Sequence, residues 1–163
     1  MVDLGCGEGA LTLELTRFAR DVVGVEIDGA LVEQARHLAL RRGVEPVRFE
    51  TADASATGLP DASFDVALLG QALHHAEEPA DWLREAHRLL VPGGSLVVLD
   101  LEPHTEEWVV DRLGHRHLGF APGRLAELLE RAGFVDVEVE RMGVKADDPF
   151  RVVIARGTRG PSR

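Results

Sequence analysis

Three glycines on alternate positions, Gly5, Gly7 and Gly9, follow directly on the short run Val2-Asp3-Leu4 and precede an apolar stretch that starts at Ala10. Nothing else in the chain constrains the fold as tightly. A backbone that leaves a strand and enters a helix within a few residues needs angles that glycine tolerates. Glycines there also let a ligand approach the main chain with no Cβ in the way. The first amides of the helix that follows have no intrahelical partner and are available as donors. The spacing therefore predicts a strand, a tight corner and a helix, with a ligand held at the corner.

The rest of the chain is periodic in a compatible way. "VVGVEI" (22–27), "FDVALL" (64–69) and "SLVVLDL" (95–101) are nearly continuous apolar runs, as expected of strands buried on both faces of a parallel sheet. Amphipathic helices are predicted between them. One covers 29–42, with Leu31, Ala35 and Leu38 on a face. A second starts at Pro79, carries Trp82, Leu83, Ala86, Leu89 and Leu90, and stops at "VPGG", where Gly93 and Gly94 turn the chain. A third runs from Pro122 through Leu125, Leu128 and Leu129 to Ala132, with Gly133 beyond it. "VDVEVE" (135–140) alternates strictly, and "FRVVIA" (150–155) follows a connection containing "DDP". That pattern predicts an antiparallel hairpin on one edge of the sheet. Strand–helix alternation of this kind gives a doubly wound α/β domain whose ligands bind beyond the carboxyl ends of the strands. The domain is expected over 1–156, with 157–163 as a flexible tail.

Composition limits the partners. At 163 residues and 45% apolar content the chain can bury one domain core. A net charge of -10 disfavours direct nucleic-acid binding, which needs clustered Lys and Arg. No apolar run reaches membrane-spanning length, and the start lacks the basic and apolar regions of a secretory leader. The single cysteine, Cys6, excludes an intramolecular disulfide and suits a reducing cytoplasm. A cytoplasmic protein is expected, with a homodimer left open.

Spacing alone leaves the ligand undecided, because Gly5, Gly7 and Ala10 also satisfy the dinucleotide pattern G-x-G-x-x-[GA] of an NAD-dependent oxidoreductase. The neighbours argue otherwise. Asp3, two residues before the first glycine, would repel a pyrophosphate and suits an ammonium or other cation. Cys6 reads as a small packing residue, and Asp28, just before Gly29, as a helix cap.

"VDLGCGEG" resembles the first motif of the Rossmann-like (class I) S-adenosylmethionine-dependent methyltransferases, and further stretches follow in that family's order. "VVGVEID" looks like its second strand, "TADASATGLPDASFDVALLGQALHH" its adenine-side loop and fourth strand, and "REAHRLLVPGGSLVVLDL" the helix and fifth strand. The likeness is close from residue 2 to about 101 and looser beyond. It extends in particular to the methyltransferase half of bacterial proteins that carry an arsenic-repressor-type winged helix. Through "QALHH" it also extends to the quinone-biosynthesis methyltransferases. The resemblance implies a three-layer Rossmann-like sandwich, a mostly parallel seven-stranded sheet with a C-terminal antiparallel hairpin. It also implies S-adenosylmethionine as cofactor, held by Asp3, Gly5, Cys6, Gly7, Gly9, Glu26, Ile27, Asp53, Ala54, Gly70 and Gln71. Glu26 would take the ribose hydroxyls, Asp53 the adenine amino group and Ala54 the ring edge, with Gly70 and Gln71 at the methionine end. Such relatives usually carry helices ahead of the glycine strand, so the chain is expected to be N-terminally incomplete, with one flank of the cofactor open. A non-catalytic domain that senses S-adenosylmethionine or S-adenosylhomocysteine within a regulator is the other reading compatible with the motifs.

The acceptor is expected to be a small molecule, bound near "EPHTEEWVVDRLGHRHLGFAPGRL" (102–125). His74, His75, His104, Trp108 and His117 are the candidate pocket residues, and His75 is the candidate general base. Phe120 is read as a core anchor. His115-x-His117 would put both rings on one side of an extended segment. With no Cys or carboxylate at a metal-ligand spacing beside them, no metal is expected. Trivalent arsenic, held by several thiolates, is disfavoured as substrate in a chain with one cysteine.

Overall fold

Val23 and Val25 are buried in one hydrophobic cluster, while Gly24 between them lies against the Phe49 ring in another. That alternation marks a sheet covered on both faces, and the computed structural model, which describes residues 1–142 and 150–161, has this form. Its strands are β1 (Val2–Leu4), β2 (Val22–Glu26), β3 (Val47–Thr51), β4 (Phe64–Gly70), β5 (Leu90–Leu101), β6 (Phe134–Arg141) and β7 (Val152–Arg159). They form a single sheet in the order β3-β2-β1-β4-β5-β7-β6. β1 to β5 pair in parallel, and β7 lies antiparallel to both β5 and β6.

Two helical layers cover it. α1 (Ala10–Leu15) and α2 (Gly29–Arg42) set Leu13, Val32, Ala35 and Ala39 around Phe49. α3 (Pro79–Leu89) and α5 (Pro122–Arg131) close the other face with Leu83, Ala86, Leu89, Leu125, Leu128 and Leu129. Each fully buried leucine stabilises by about 1.5–3 kcal/mol, which is why these two helices need no side-chain caps. α2 has both kinds of end: Asp28 accepts from the Ala30 amide at 2.8 Å, as expected, and Gly43 closes it in the left-handed conformation.

Three expectations need correction. The glycine pair of "VPGG" does not end a helix. α3 stops at Leu89 and the chain enters β5 at once, so Gly93 and Gly94 sit inside that strand, where the β4–β5 register shifts. The β4 partners pass from Leu90 directly to Ser95, so the two glycines lie in an irregularity of the strand, where Gly93 takes a left-handed φ. β7 runs on to Arg159, three residues into the stretch expected as a tail. Thr158 pairs with Ser95, and the Arg159 guanidinium donates to the carbonyls of Arg88 and Leu90. Neither β3 nor the short α4 (Trp108–Leu113) is among the predicted elements: β3 alternates through Val47, Arg48, Phe49 and Glu50 but is only five residues long, and the six residues of α4 are too few to show a helical period. The "DDP" connection lies outside the described residues.

β1 and β4 are neighbours, yet the chain winds away from them in opposite directions. Their carboxyl ends form the switch point at which doubly wound sheets bind ligands. Among the described residues, no helix is long and apolar enough to cross a membrane.

Candidate functional site

The glycine corner joins β1 to α1, and a cleft of about 1130 Å³ opens above it. Its three glycines all have positive φ, but they do different work. Gly9 supports packing: a Cβ there would stand 2.8 Å from the Ala35 Cβ and 2.9 Å from the Phe49 ring. Gly7 faces open space, with nothing within 4 Å, and lines the cleft. Gly5 lines it too, with the Trp82 indole close by.

Most of the corner's amides are already spent. Gly5 and Cys6 donate to the Val25 carbonyl at 2.8 and 3.0 Å, and Gly9 to the Cys6 carbonyl at 3.0 Å. Gly7 donates to Glu26 Oε2 at 3.0 Å, while Glu26 Oε1 accepts from the Ile27 and Asp28 amides at 2.9 and 3.1 Å. The carboxylate at the tip of β2 is thus fixed by three backbone donors. Of its roughly four acceptor sites, one on Oε2 is left toward the cleft. A diphosphate entering here would find a carboxylate in its place.

Asp3 does not line the cleft. It is 2% exposed beneath the corner, where its Oδ2 accepts from Thr12 Oγ1 at 2.6 Å. Burial raises its pKa to about 6, against the Thr12 hydrogen bond, and the Glu26 charge adds to the rise. The direct ammonium contact expected from its position in sequence is replaced by a structural one. Cys6 is half-buried, and its thiol is pushed up to about 12 by burial first and then by Asp3 and Glu26, so it is no nucleophile.

Five more of the residues expected at the cofactor lie in the walls. Ile27, Asp53 and Ala54 line the side beyond β2 and β3, and Gly70 and Gln71 the side beyond β4. Asp53 also shapes its own loop, its Oδ1 accepting from the Ser55 amide at 2.8 Å and hydroxyl at 2.7 Å. Leu31, Trp82, Glu8, Glu77, Glu78, Asp81 and Arg116 line the cleft as well and were not foreseen there. Trp82 and Leu31 obey the helical period, which assigns them to the core. Only their place at the cleft-facing ends of α3 and α2 gives them a second role. With Glu26 and Asp53, the acids of the lining outnumber its one arginine, so the cleft favours a cation over a polyanion.

The histidines divide. His75 lines the cleft and is exposed, with Nδ1 3.2 Å from the Gly114 carbonyl. Its pKa is lowered chiefly by burial of part of the ring and by His74 beside it. His74 is buried, with Nδ1 2.9 Å from Asp100 Oδ1. His104 and Trp108 lie away from the cleft: the His104 ring packs 5.1 Å from Phe150, and Trp108 Nε1 donates to Glu106 at 2.8 Å. His117 turns its Nε2 to the Ala76 carbonyl at 3.0 Å and packs beside Phe120, which is core as expected. His115 and His117 therefore diverge. His115 instead joins His74 and His75, with ring centroids 4.0 and 4.9 Å away. Its pKa is lowered to about 4, by burial first and then by the neighbouring imidazoles.

A family model described as a methyltransferase domain matches residues 2–98. A methyltransferase of Mycobacterium tuberculosis is 32% identical over 127 residues, 73% of this chain and 63% of that protein. The demethylmenaquinone methyltransferase of Thermus thermophilus is 38% identical over 105 residues, 63% of this chain and 47% of that enzyme. The chain thus spans less than two thirds of the length of these relatives. Among solved structures, Haemonchus contortus phosphoethanolamine N-methyltransferase 2 in complex with S-adenosyl-L-methionine superposes with a TM-score of 0.84 at 16% identity, over 99% of this chain and 48% of that one.

Proposed function

The chain belongs to the methyltransferase-domain family, and from that premise we propose that it binds S-adenosylmethionine in the cleft and transfers its methyl group to a small-molecule acceptor. The observation that carries this reading is Glu26. Its carboxylate occupies the Gly7 amide that a diphosphate would need, and offers an acceptor to a sugar hydroxyl instead. S-adenosylmethionine has that ribose, a cationic sulfonium and no phosphate, and the acidic lining favours such a ligand.

The roles follow from position. Glu26 takes one ribose hydroxyl on Oε2, and a second hydroxyl requires it to release one of its amides. Asp53 and Ala54 meet the adenine, with Ile27 (66% exposed) as the apolar wall that the base covers. The glycine corner, Gly70 and Gln71 carry the methionine end. The sulfonium already activates the methyl group, so alignment of donor and acceptor supplies most of the rate. If the acceptor must lose a proton, His75 is placed to take it: its Nδ1 faces a carbonyl, which leaves Nε2 as the basic nitrogen, and a lowered pKa keeps the ring neutral near pH 7.

The Thermus relative is named for demethylmenaquinone and the Haemonchus neighbour for phosphoethanolamine, so the family supports a small-molecule acceptor without choosing one. Incubation with methyl-labelled S-adenosylmethionine and cell extract tests the proposal. Label transferred to a low-molecular-weight product is the expected result. Tight binding without transfer would support the sensing domain of a regulator instead.

A further inference from the structure

Three imidazoles from two separate segments converge beside the cleft. His74 and His75 close a short 3-10 turn after β4, and His115 follows Gly114, which caps α4 in the left-handed conformation. The segments are tied together, since the Arg116 and His117 amides both donate to the His74 carbonyl at 2.9 and 3.1 Å. Ring centroids are 4.3 Å apart for His74–His75 and 4.0 Å for His74–His115, and one nitrogen from each of the three rings lies within 4.8 Å of the others.

The hydrogen bonds around the cluster matter more than the distances. His74 Nδ1 faces Asp100 Oδ1, and His75 Nδ1 faces the Gly114 carbonyl. An oxygen acceptor on Nδ1 fixes the proton there and leaves the Nε2 lone pair free. Asp100 is held in turn by the His74 and Leu101 amides at 3.2 and 2.7 Å. His115 Nδ1 is buried with no hydrogen-bond partner, an arrangement that costs free energy unless something fills it. An oxygen acceptor behind the ring and an unshared lone pair in front are what a metal-ligating histidine requires, and His74 and His75 have both, while His115 brings a buried nitrogen with nothing to bind.

We propose that His74, His75 and His115 bind one divalent metal ion of borderline softness, Zn²⁺ being the type, with an open coordination position facing the cleft. Three protein nitrogens and an exchangeable position are a known coordination pattern for zinc. An all-imidazole set disfavours Mg²⁺ and Ca²⁺, which take oxygen ligands. Zinc–nitrogen bonds of about 2.0–2.1 Å in a tetrahedral site put ligands about 3.3 Å from each other, so ligand atoms up to 4.8 Å apart approach by up to about 1.5 Å as the rings close on the ion. His75, exposed in the cleft wall, is the route of entry. Binding of the ion does not depend on methyl transfer, but it takes the His75 Nε2 lone pair, so His75 can act as general base only in the metal-free chain, and the open position of the loaded site would face whatever occupies the acceptor end.

Titration of the chelator-stripped full chain with Co²⁺, followed by Zn²⁺ competition, tests this. One equivalent of Co²⁺ should bind with the visible absorption of a four- or five-coordinate ion, and Zn²⁺ should displace it. His75→Ala, an exposed position whose variant should fold, should abolish the absorption. Asp100→Asn should weaken binding roughly 10–100-fold. His37→Ala, on the exposed surface of α2, should change nothing. Absent or non-saturating binding in the wild type would overturn the proposal, as would binding by His75→Ala equal to that of the wild type.

Discussion

The two ends of the cleft are built on opposite principles. At the β1–β2 end the ligand surface is built on main chain: a glycine corner and one carboxylate held by three backbone amides. At the end beyond β4 a side chain, His75, lines the cleft, backed by buried His74 and His115 over a buried aspartate, a group assembled from residues far apart in sequence. A backbone surface suits a ligand that every family member shares, because side-chain drift hardly alters it. A side-chain surface can be re-cut for a new acceptor without disturbing the cofactor.

The largest expected effect is at the side-chain end. Asp100 is fully buried and accepts from the His74 ring and amide and from the Leu101 amide. Asp100→Ala should therefore cost about 3–5 kcal/mol in denaturant unfolding, since it strands buried donors. A loss below 1 kcal/mol would mean that this end is held by the backbone after all. At the other end Gly9→Ala should cost about 2–4 kcal/mol, because a left-handed φ combines with a Cβ pressed on Ala35 and Phe49.

Asp3 gives the next effect, and its sign is testable. Its folded pKa of about 6 exceeds the unfolded value of 3.8, so the folded state binds the extra proton between those values. Its contribution is most favourable below about pH 4 and is lost as pH rises through 6. Asp3→Asn should remove that slope. Relative to wild type the variant should gain up to about 3 kcal/mol between pH 4 and pH 7 in paired urea titrations. Equal slopes would show that Asp3 is less isolated than its burial implies. Gly7→Ala completes the comparison. With open space around it, stability should fall by only about 1 kcal/mol, while affinity for S-adenosylhomocysteine should fall by more.

These contrasts also explain what could be read from the sequence. The glycine corner, Glu26, Asp53 and the strands at 22–27, 64–69 and 95–101 are local patterns, and each stands where its spacing implied. Asp3 and Gly9 obey the same motif but serve the packing beneath it, a difference set by which way a side chain points. The histidine cluster was not legible. His115 was paired with its neighbour His117 on spacing, whereas the partners it meets come from a turn after β4, brought near by the sheet order. Strand β3 alternates but buries only Phe49, which is too short a signal to mark a strand on sequence.

Calorimetric titration with S-adenosylhomocysteine and with NAD, on wild type and Glu26→Ala, bears most directly on the claim that Glu26 makes this corner an adenosyl site closed to diphosphate. Saturable binding of S-adenosylhomocysteine is predicted, weakened by about 1–3 kcal/mol in the variant, with no heat from NAD. Binding of NAD by the wild type, or an unchanged affinity for S-adenosylhomocysteine in Glu26→Ala, would contradict it.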